Sequence, residues 1–182
     1  MNNADIVGAI LIVLGLLVTL ISVYTEPILL LVAGALIAAG IQAGDRVAIW
    51  APNGLEWIVA GLAIHSVGAV LVPLNTRMRG AEAAYVLEKS QARLLFSVGR
   101  FLDQHYPSLL APHRPLALQQ IVVLSAAEAA DLWWNDFLAR ADETDVADVA
   151  RRGAAMNGDS VMDILFTSGT TGRPKGAVTT HA

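Results

Sequence analysis

Cysteine is absent from the chain, which excludes disulfides, thiolate metal sites and cysteine nucleophiles and leaves the redox compartment open. Charge is scarce at the start, where Asp5 and Glu26 are the only charged side chains in the first 41 residues. A basic surplus is missing as well. With 12 Lys and Arg against 16 Asp and Glu the net charge is -4, so nucleic acid is not an expected partner. No internal repeat is present. What fills the chain is apolar: hydrophobic residues make up 55% and mean hydropathy is +0.55, where ordinary soluble domains carry about 45 to 50%. The 182 residues allow one domain or one and a half.

The apolar excess is concentrated at the N-terminus. Ile6 to Tyr24 is a run of 19 residues without a charge, close to the roughly 20 needed to cross a hydrocarbon core of about 30 Å. A cleavable signal peptide fits less well, because an acid stands where a basic n-region is expected and the run is too long. After the break at Thr25, Glu26 and Pro27 comes a second run, Ile28 to Ile41, short for an upright crossing. Residues 1–41 are therefore set apart as an apolar helical leader. Three readings of it remain open: a membrane anchor or helical hairpin, a foreign N-terminus, or an apolar core helix. Arg46, Arg77 and Arg79 follow it and favour a cytoplasmic C-terminal side.

Beyond the leader, short apolar runs alternate with helical patterns. Val47 to Trp50, Val70 to Val72, Leu94 to Ser97 and Ile121 to Leu124 read as buried strands, and Leu55 to Val67 and Gly80 to Lys89 as helices. Alternation at this spacing predicts an α/β fold with a doubly wound parallel sheet and right-handed crossovers. Phe101 to Tyr106 reads as a helical turn. Trp133, Trp134, Phe137 and Leu138 read as a helix anchored on the core rather than a base-stacking platform. The acidic run Asp142 to Asp148 lacks the glycine of a calcium loop and reads as a solvated connector. His65 has no partner histidine one turn away and reads as a packed helix residue.

The chain is organised around Thr167 to Gly176, which reads Thr-Ser-Gly-Thr-Thr-Gly-Arg-Pro-Lys-Gly. Gly169, Gly172 and Gly176 can take positive φ and turn successive N–H groups inward as an anion nest. Thr167, Ser168, Thr170 and Thr171 add hydroxyls, and Lys175 adds a point charge. The rival Walker A pattern needs Gly-Lys-Ser/Thr five positions beyond its first glycine. Counting from Gly169 gives Pro174, and from Gly172 gives Ala177, so neither register fits. The flanks differ too, since Val161 to Phe166 and Ala177 to Thr180 both read as extended. A bland Ser/Thr/Gly surface turn would not need the lysine and the proline in this order.

At these residues the chain resembles the adenylate-forming (AMP-binding) superfamily of acyl-CoA synthetases, luciferases and peptide-synthetase adenylation domains. Every fixed position of that family's phosphate loop is matched. The resemblance runs upstream through Gly44 to Ile49, Ala51 to Asn53, Gly68 to Val70, Val72 to Asn75 and Asp163 to Phe166, and is strongest to fatty or aryl acid acyl-CoA synthetases. It implies that residues 42–182 form a truncated N-terminal part of an AMP-binding domain, a partial doubly wound parallel sheet.

It further implies an ATP-dependent acyl-CoA ligase that activates a carboxylic acid, fatty or aryl, as acyl-adenylate and then forms the CoA thioester, using ATP, Mg and CoA. Thr167, Ser168, Gly169, Thr170, Thr171, Gly172 and Lys175 would bind the ATP phosphates, with Thr167 nearest the magnesium. No catalytic residue is assigned, because the family's acyl pocket, adenine contacts and adenylation lysine have no counterpart here, and the chain alone is expected to be inactive. Two other classes stand beside this one: a small membrane protein with a vestigial nucleotide-binding tail, and a non-catalytic ATP-binding module. The leader supplies a direct test. Alkaline carbonate extraction of the expressed chain should leave it in the membrane pellet if Ile6 to Tyr24 inserts, and recovery in the soluble fraction would refute an anchor.

Overall fold

The computed structural model describes residues 27–124, 132–167 and 173–182. A helix α1 (residues 27–38) precedes β1 (Arg46–Trp50), α2 (Leu55–Ser66), β2 (Val70–Pro73), α3 (Gly80–Ser90) and β3 (Leu94–Ser97). A small hairpin of β4 (Arg100–Phe101) and β5 (Gln104–His105) leads into α4 (Tyr106–Leu110). Then come β6 (Gln120–Val123), β7 (Leu132–Trp133), α5 (Trp134–Ala139), α6 (Val146–Ala154), β8 (Val161–Thr167) and β9 (Lys175–Thr180).

Seven strands form one sheet in the order β7-β6-β3-β1-β2-β8-β9. All neighbours are parallel except β8 and β9. The path from β1 through α2 to β2 moves one way along the sheet, and the path through α3 to β3 moves back past β1. Right-handed crossovers therefore place α2 and α3 on opposite faces. The packing agrees, with α2 against α6 and α3 against α4. Covered on both sides, the central strands bury every side chain from Val47 to Trp50 and from Leu94 to Ser97, which is why they are nearly continuous apolar runs rather than alternating ones.

The Gly44, Asp45, Arg46 segment works as a clamp at the amino end of β1. Arg46 donates through Nε to Ser90 O at 2.7 Å and through Nη2 to Gln91 O at 3.1 Å, placing a cation on the last carbonyls of α3, where the helix dipole favours it. Asp45 is paired with Arg93 at the start of β3. Gly68, at φ +73, makes the left-handed turn into β2.

Three sequence expectations are corrected. Ile28 to Ile41 does not form the second arm of a membrane hairpin. Val32, Ala33, Ala35 and Leu36 are fully buried in the core, Thr144 Oγ1 donates to Gly34 O at 3.0 Å, and Arg152 Nη1 donates to Ile41 O at 2.6 Å. A helix apolar on several sides is satisfied by protein here. Among the described residues no helix is long and apolar enough to cross a membrane, and Ile6 to Tyr24 lies outside them.

Phe101 to His105 is not a helical turn but part of the β4–β5 hairpin, with Tyr106 opening α4, because Leu102 and Asp103 adopt φ of 49° and 57°, the left-handed pair that a two-residue hairpin turn requires. Finally, the acidic run opens a helix. Asp145 caps α6 by accepting from Ala147 N at 2.9 Å, and Asp148 sits in the first turn, where negative charge is favourable.

Tyr106 joins the carboxyl ends of the strands to the loops above them. Its ring packs on Trp50 at 4.5 Å between centroids, and its hydroxyl donates to Thr76 O at 2.6 Å. Burial pushes its phenol above the ordinary value of 10.0. The neutral form is the one the fold prefers, so this stabilisation is complete below about pH 10 and is lost as pH rises through the raised value. Tyr106→Phe is expected to cost about 0.5 to 1.5 kcal/mol at pH 8. In urea titrations repeated at increasing pH, the gap between the two proteins should then close above about pH 10.

Candidate functional site

The carboxyl ends of β2 and β8 mark a point where the chain diverges. From β2 it returns across β1 toward β3, and from β8 it turns outward into β9. Crevices at such switch points are where open α/β sheets hold ligands. Two grooves open there, of about 980 Å³ and about 480 Å³, and both are lined by Asn75 and Phe166. The larger runs along α3, past Met78, Glu82 and Tyr85, to Thr167, Arg173 and Pro174. The smaller lies toward Trp57 and Leu165.

The floor between the grooves is fixed from below. Trp50, fully buried at the end of β1, donates through Nε1 to Asn75 O at 3.1 Å. Tyr106 holds Thr76, and Asn75 Oδ1 accepts from Arg77 N at 2.9 Å. The other switch point, between β1 and β3, is filled by this same Trp50 and Tyr106 pair.

The outer wall is the β8–β9 hairpin. Its last paired residues are Thr167 and Lys175, both exposed, so a hydroxyl and an ammonium stem stand across from each other where the strands part. The sequence grouped these two with Ser168, Gly169, Thr170, Thr171 and Gly172, which lie outside the described residues. Both flanks are strands, as their extended patterns implied.

Gly176 needs a different explanation from the one its sequence suggested. It is not among the positive-φ residues. A Cβ there would meet Ile164 Cγ2 at 2.8 Å and the Phe166 ring at 3.3 Å, so the position is reserved by the cross-strand side chains rather than by a turn.

Side chains from both faces of the sheet reach the hairpin. On the α2 side His65 Nε2 lies 3.0 Å from Asp163 Oδ1, and Thr179 Oγ1 donates to Asp163 Oδ2 at 3.4 Å. His181 stands edge-on to His65 at 5.8 Å. On the α3 side Tyr85 donates from its hydroxyl to Pro174 O at 3.2 Å, and the Arg173 guanidinium sits 5.5 Å from its ring centroid. Neither the Asp163 partnership of His65 nor the role of Tyr85 was readable from the sequence, since each joins residues far apart in the chain with no local pattern between them. Among the described residues no cluster of three or more His, Cys, Asp or Glu could hold a metal ion.

The sequence profile of the AMP-binding enzyme family matches residues 29–182. The chain belongs to this family. Of the similar proteins, a (methyl-dioxo-octahydro-indenyl)propanoyl:CoA ligase of Mycobacterium tuberculosis is 47% identical over 150 residues, covering 82% of this chain and 29% of that ligase. The medium-chain fatty-acid–CoA ligase of Escherichia coli is 36% identical over 151 residues, covering 82% and 26%. The crystal structure of the N-terminal domain of FACL13 from M. tuberculosis superposes with a TM-score of 0.67 at 26% identity, over 87% of this chain and 37% of that one. The chain thus spans less than a third of the length of the curated relatives it matches.

As an AMP-binding family chain it places the glycine after the loop lysine in a tight cross-strand contact. Gly176→Ala would force Ile164 and Phe166 apart and shift the hairpin. The expected loss of stability is about 1 to 3 kcal/mol, typical of overpacking, and would be read from urea denaturation against the unaltered chain. A change below a few tenths of a kcal/mol would show that the contact yields freely.

Proposed function

We propose that this chain forms the phosphate-binding part of an ATP-dependent acyl-CoA ligase. In that reaction an oxygen of the acid's carboxylate attacks the α-phosphorus of ATP, forming an O–P bond as the bond to pyrophosphate breaks. The CoA thiolate then attacks the acyl carbon and AMP leaves. Negative charge grows on the departing pyrophosphate, so donors aimed at it lower the barrier. Thr167, Ser168, Gly169, Thr170, Thr171 and Gly172 would wrap the phosphates and Lys175 would neutralise them.

The observation that supports this reading most is the pairing of Thr167 with Lys175, both solvent-facing, at the mouth of a hairpin beside the switch-point grooves. A hydroxyl and an ammonium fit a polyphosphate. They do not by themselves make a magnesium site. Magnesium is a hard cation that keeps water and phosphate oxygens as ligands, so the contribution of this chain would be the Thr167 hydroxyl beside it. No residue is assigned to CoA or to catalysis. The substrate class is a carboxylic acid with a large apolar body, fatty, aryl or fused-ring, the last because the 47%-identical relative is named for such a propanoate.

Two measurements test this. The 182-residue chain should bind Mg-ATP weakly, with affinity lowered by Lys175→Ala and by salt, because the contacts are largely charge-based. A chimera carrying residues 29–182 in place of the matching segment of the M. tuberculosis ligase should exchange labelled pyrophosphate into ATP in the presence of fatty, aryl or fused-ring acids. Lys175→Ala in that chimera should lower exchange about a hundredfold or more. A folded chimera that binds ATP yet exchanges with no acid would overturn the ligase reading in favour of a non-catalytic ATP-binding module.

A further inference from the structure

The β8–β9 hairpin forms one edge of the sheet. Among the described residues β8 lies parallel to β2, with Leu71 in register with Asp163, and β9 pairs with β8 alone. The end of the hairpin near Thr167 and Lys175 lies past the carboxyl end of β2, where side-chain contacts add to its support. Tyr85 supplies one. It sits in the middle of α3, whose neighbours Ala83, Ala84, Val86 and Leu87 are buried. At its amino end α3 is wedged against α4, so closely that a Cβ on Gly80 would fall 1.8 Å from Leu109 O. The Tyr85 ring is thus a fixed post.

On that post rest two consecutive residues of the loop's exit limb. Arg173 lies over the ring face at 5.5 Å, within cation–π range, and the hydroxyl donates to Pro174 O at 3.2 Å. The Pro174 carbonyl shares its peptide plane with the Lys175 N–H, and proline fixes its own φ. Orienting that carbonyl therefore orients the backbone from which Lys175 projects.

We propose that Tyr85 is a positioning residue for the phosphate-binding lysine: it pins the Arg173–Pro174 limb to α3, so that the Lys175 ammonium is presented to the phosphates at the mouth of the hairpin. The proposal rests on the reading of Lys175 as phosphate-binding. Tyr85 itself touches no substrate in this account. It acts through Lys175, and its effect should vanish when that lysine is gone.

The test is calorimetric titration of the 182-residue chain with Mg-ATP, and separately with Mg-pyrophosphate. Tyr85→Phe keeps the ring and loses the hydrogen bond, and should weaken binding about threefold. Tyr85→Leu loses the ring face too and should weaken it about tenfold or more. The double variant Tyr85→Leu with Lys175→Ala should bind no more weakly than Lys175→Ala alone, since residues acting through one group are not additive. A ligand-free measurement runs alongside. Trypsin cleaves after Lys175 but not between Arg173 and Pro174, and cleavage after Lys175 should be several-fold faster in Tyr85→Leu, with other sites unchanged and the thermal midpoint of Tyr85→Phe preserved.

If Lys175→Ala weakens binding while both Tyr85 variants bind like the unaltered chain, the positioning role is wrong and the phosphate-binding reading stands. Additive losses in the double variant also overturn it, because Tyr85 would then support the fold rather than the lysine. If Lys175→Ala changes nothing, the phosphate-binding reading itself falls, and the role of Tyr85 with it.

Discussion

The burial of the parallel sheet on both faces is the constraint from which the rest follows. Strands covered by helices on each side have no solvent-facing row, so β1 and β3 carry almost nothing but apolar side chains. Polar chemistry is thereby driven out of the sheet and onto the carboxyl ends of its strands. Even Trp50, the largest side chain of β1, is placed so that its one polar atom emerges at that end and ties down Asn75. The grooves, the Asn75–Thr76 floor and the Thr167–Lys175 mouth all lie along this rim.

The β8–β9 hairpin departs from that regime. Val161, Leu165 and Val178 are exposed, the hairpin forms one edge of the sheet, and side chains from the two helical layers reach it. His65 reaches it from α2 near its base, and Tyr85 reaches it from α3 near its mouth. A glycine-rich segment between two strands needs flanks that do not wander, because preorganised donors are worth more than donors that must be gathered. Lateral tethers meet that need at the edge of the sheet.

Local signals made much of this legible in the sequence, and non-local ones did not. The β1–α2–β2–α3–β3 series followed from apolar runs bounded by glycine and proline, and strands β8 and β9 on either side of the glycine-rich motif followed from its extended flanks. The β4–β5 hairpin was missed because Leu102 and Asp103 enter the left-handed region without a glycine to announce it. Helix α6 was missed because its cap, Asp145, was hidden in a run of acids. The burial of residues 28–41 could not be told from membrane insertion by hydropathy, since a packed protein interior and a bilayer core both accept the same side chains. Around the grooves the sequence singled out the Thr167 to Gly176 motif but not its neighbours: Tyr85, Asp163 with His65, and the Trp50–Tyr106 floor find their partners only when the sheet brings distant segments together.

The pairing of Leu71 with Asp163 also bears on how the molecule assembles. β2 and β3 both join β1 over short stretches of chain, whereas β8 reaches β2 only after everything from α3 to α6 has been gathered in between. Loop closure of that span must be met before any of its contacts form. The strand order of the sheet therefore makes the β8–β9 hairpin a late arrival, docked onto an edge that the earlier, more local elements have already built.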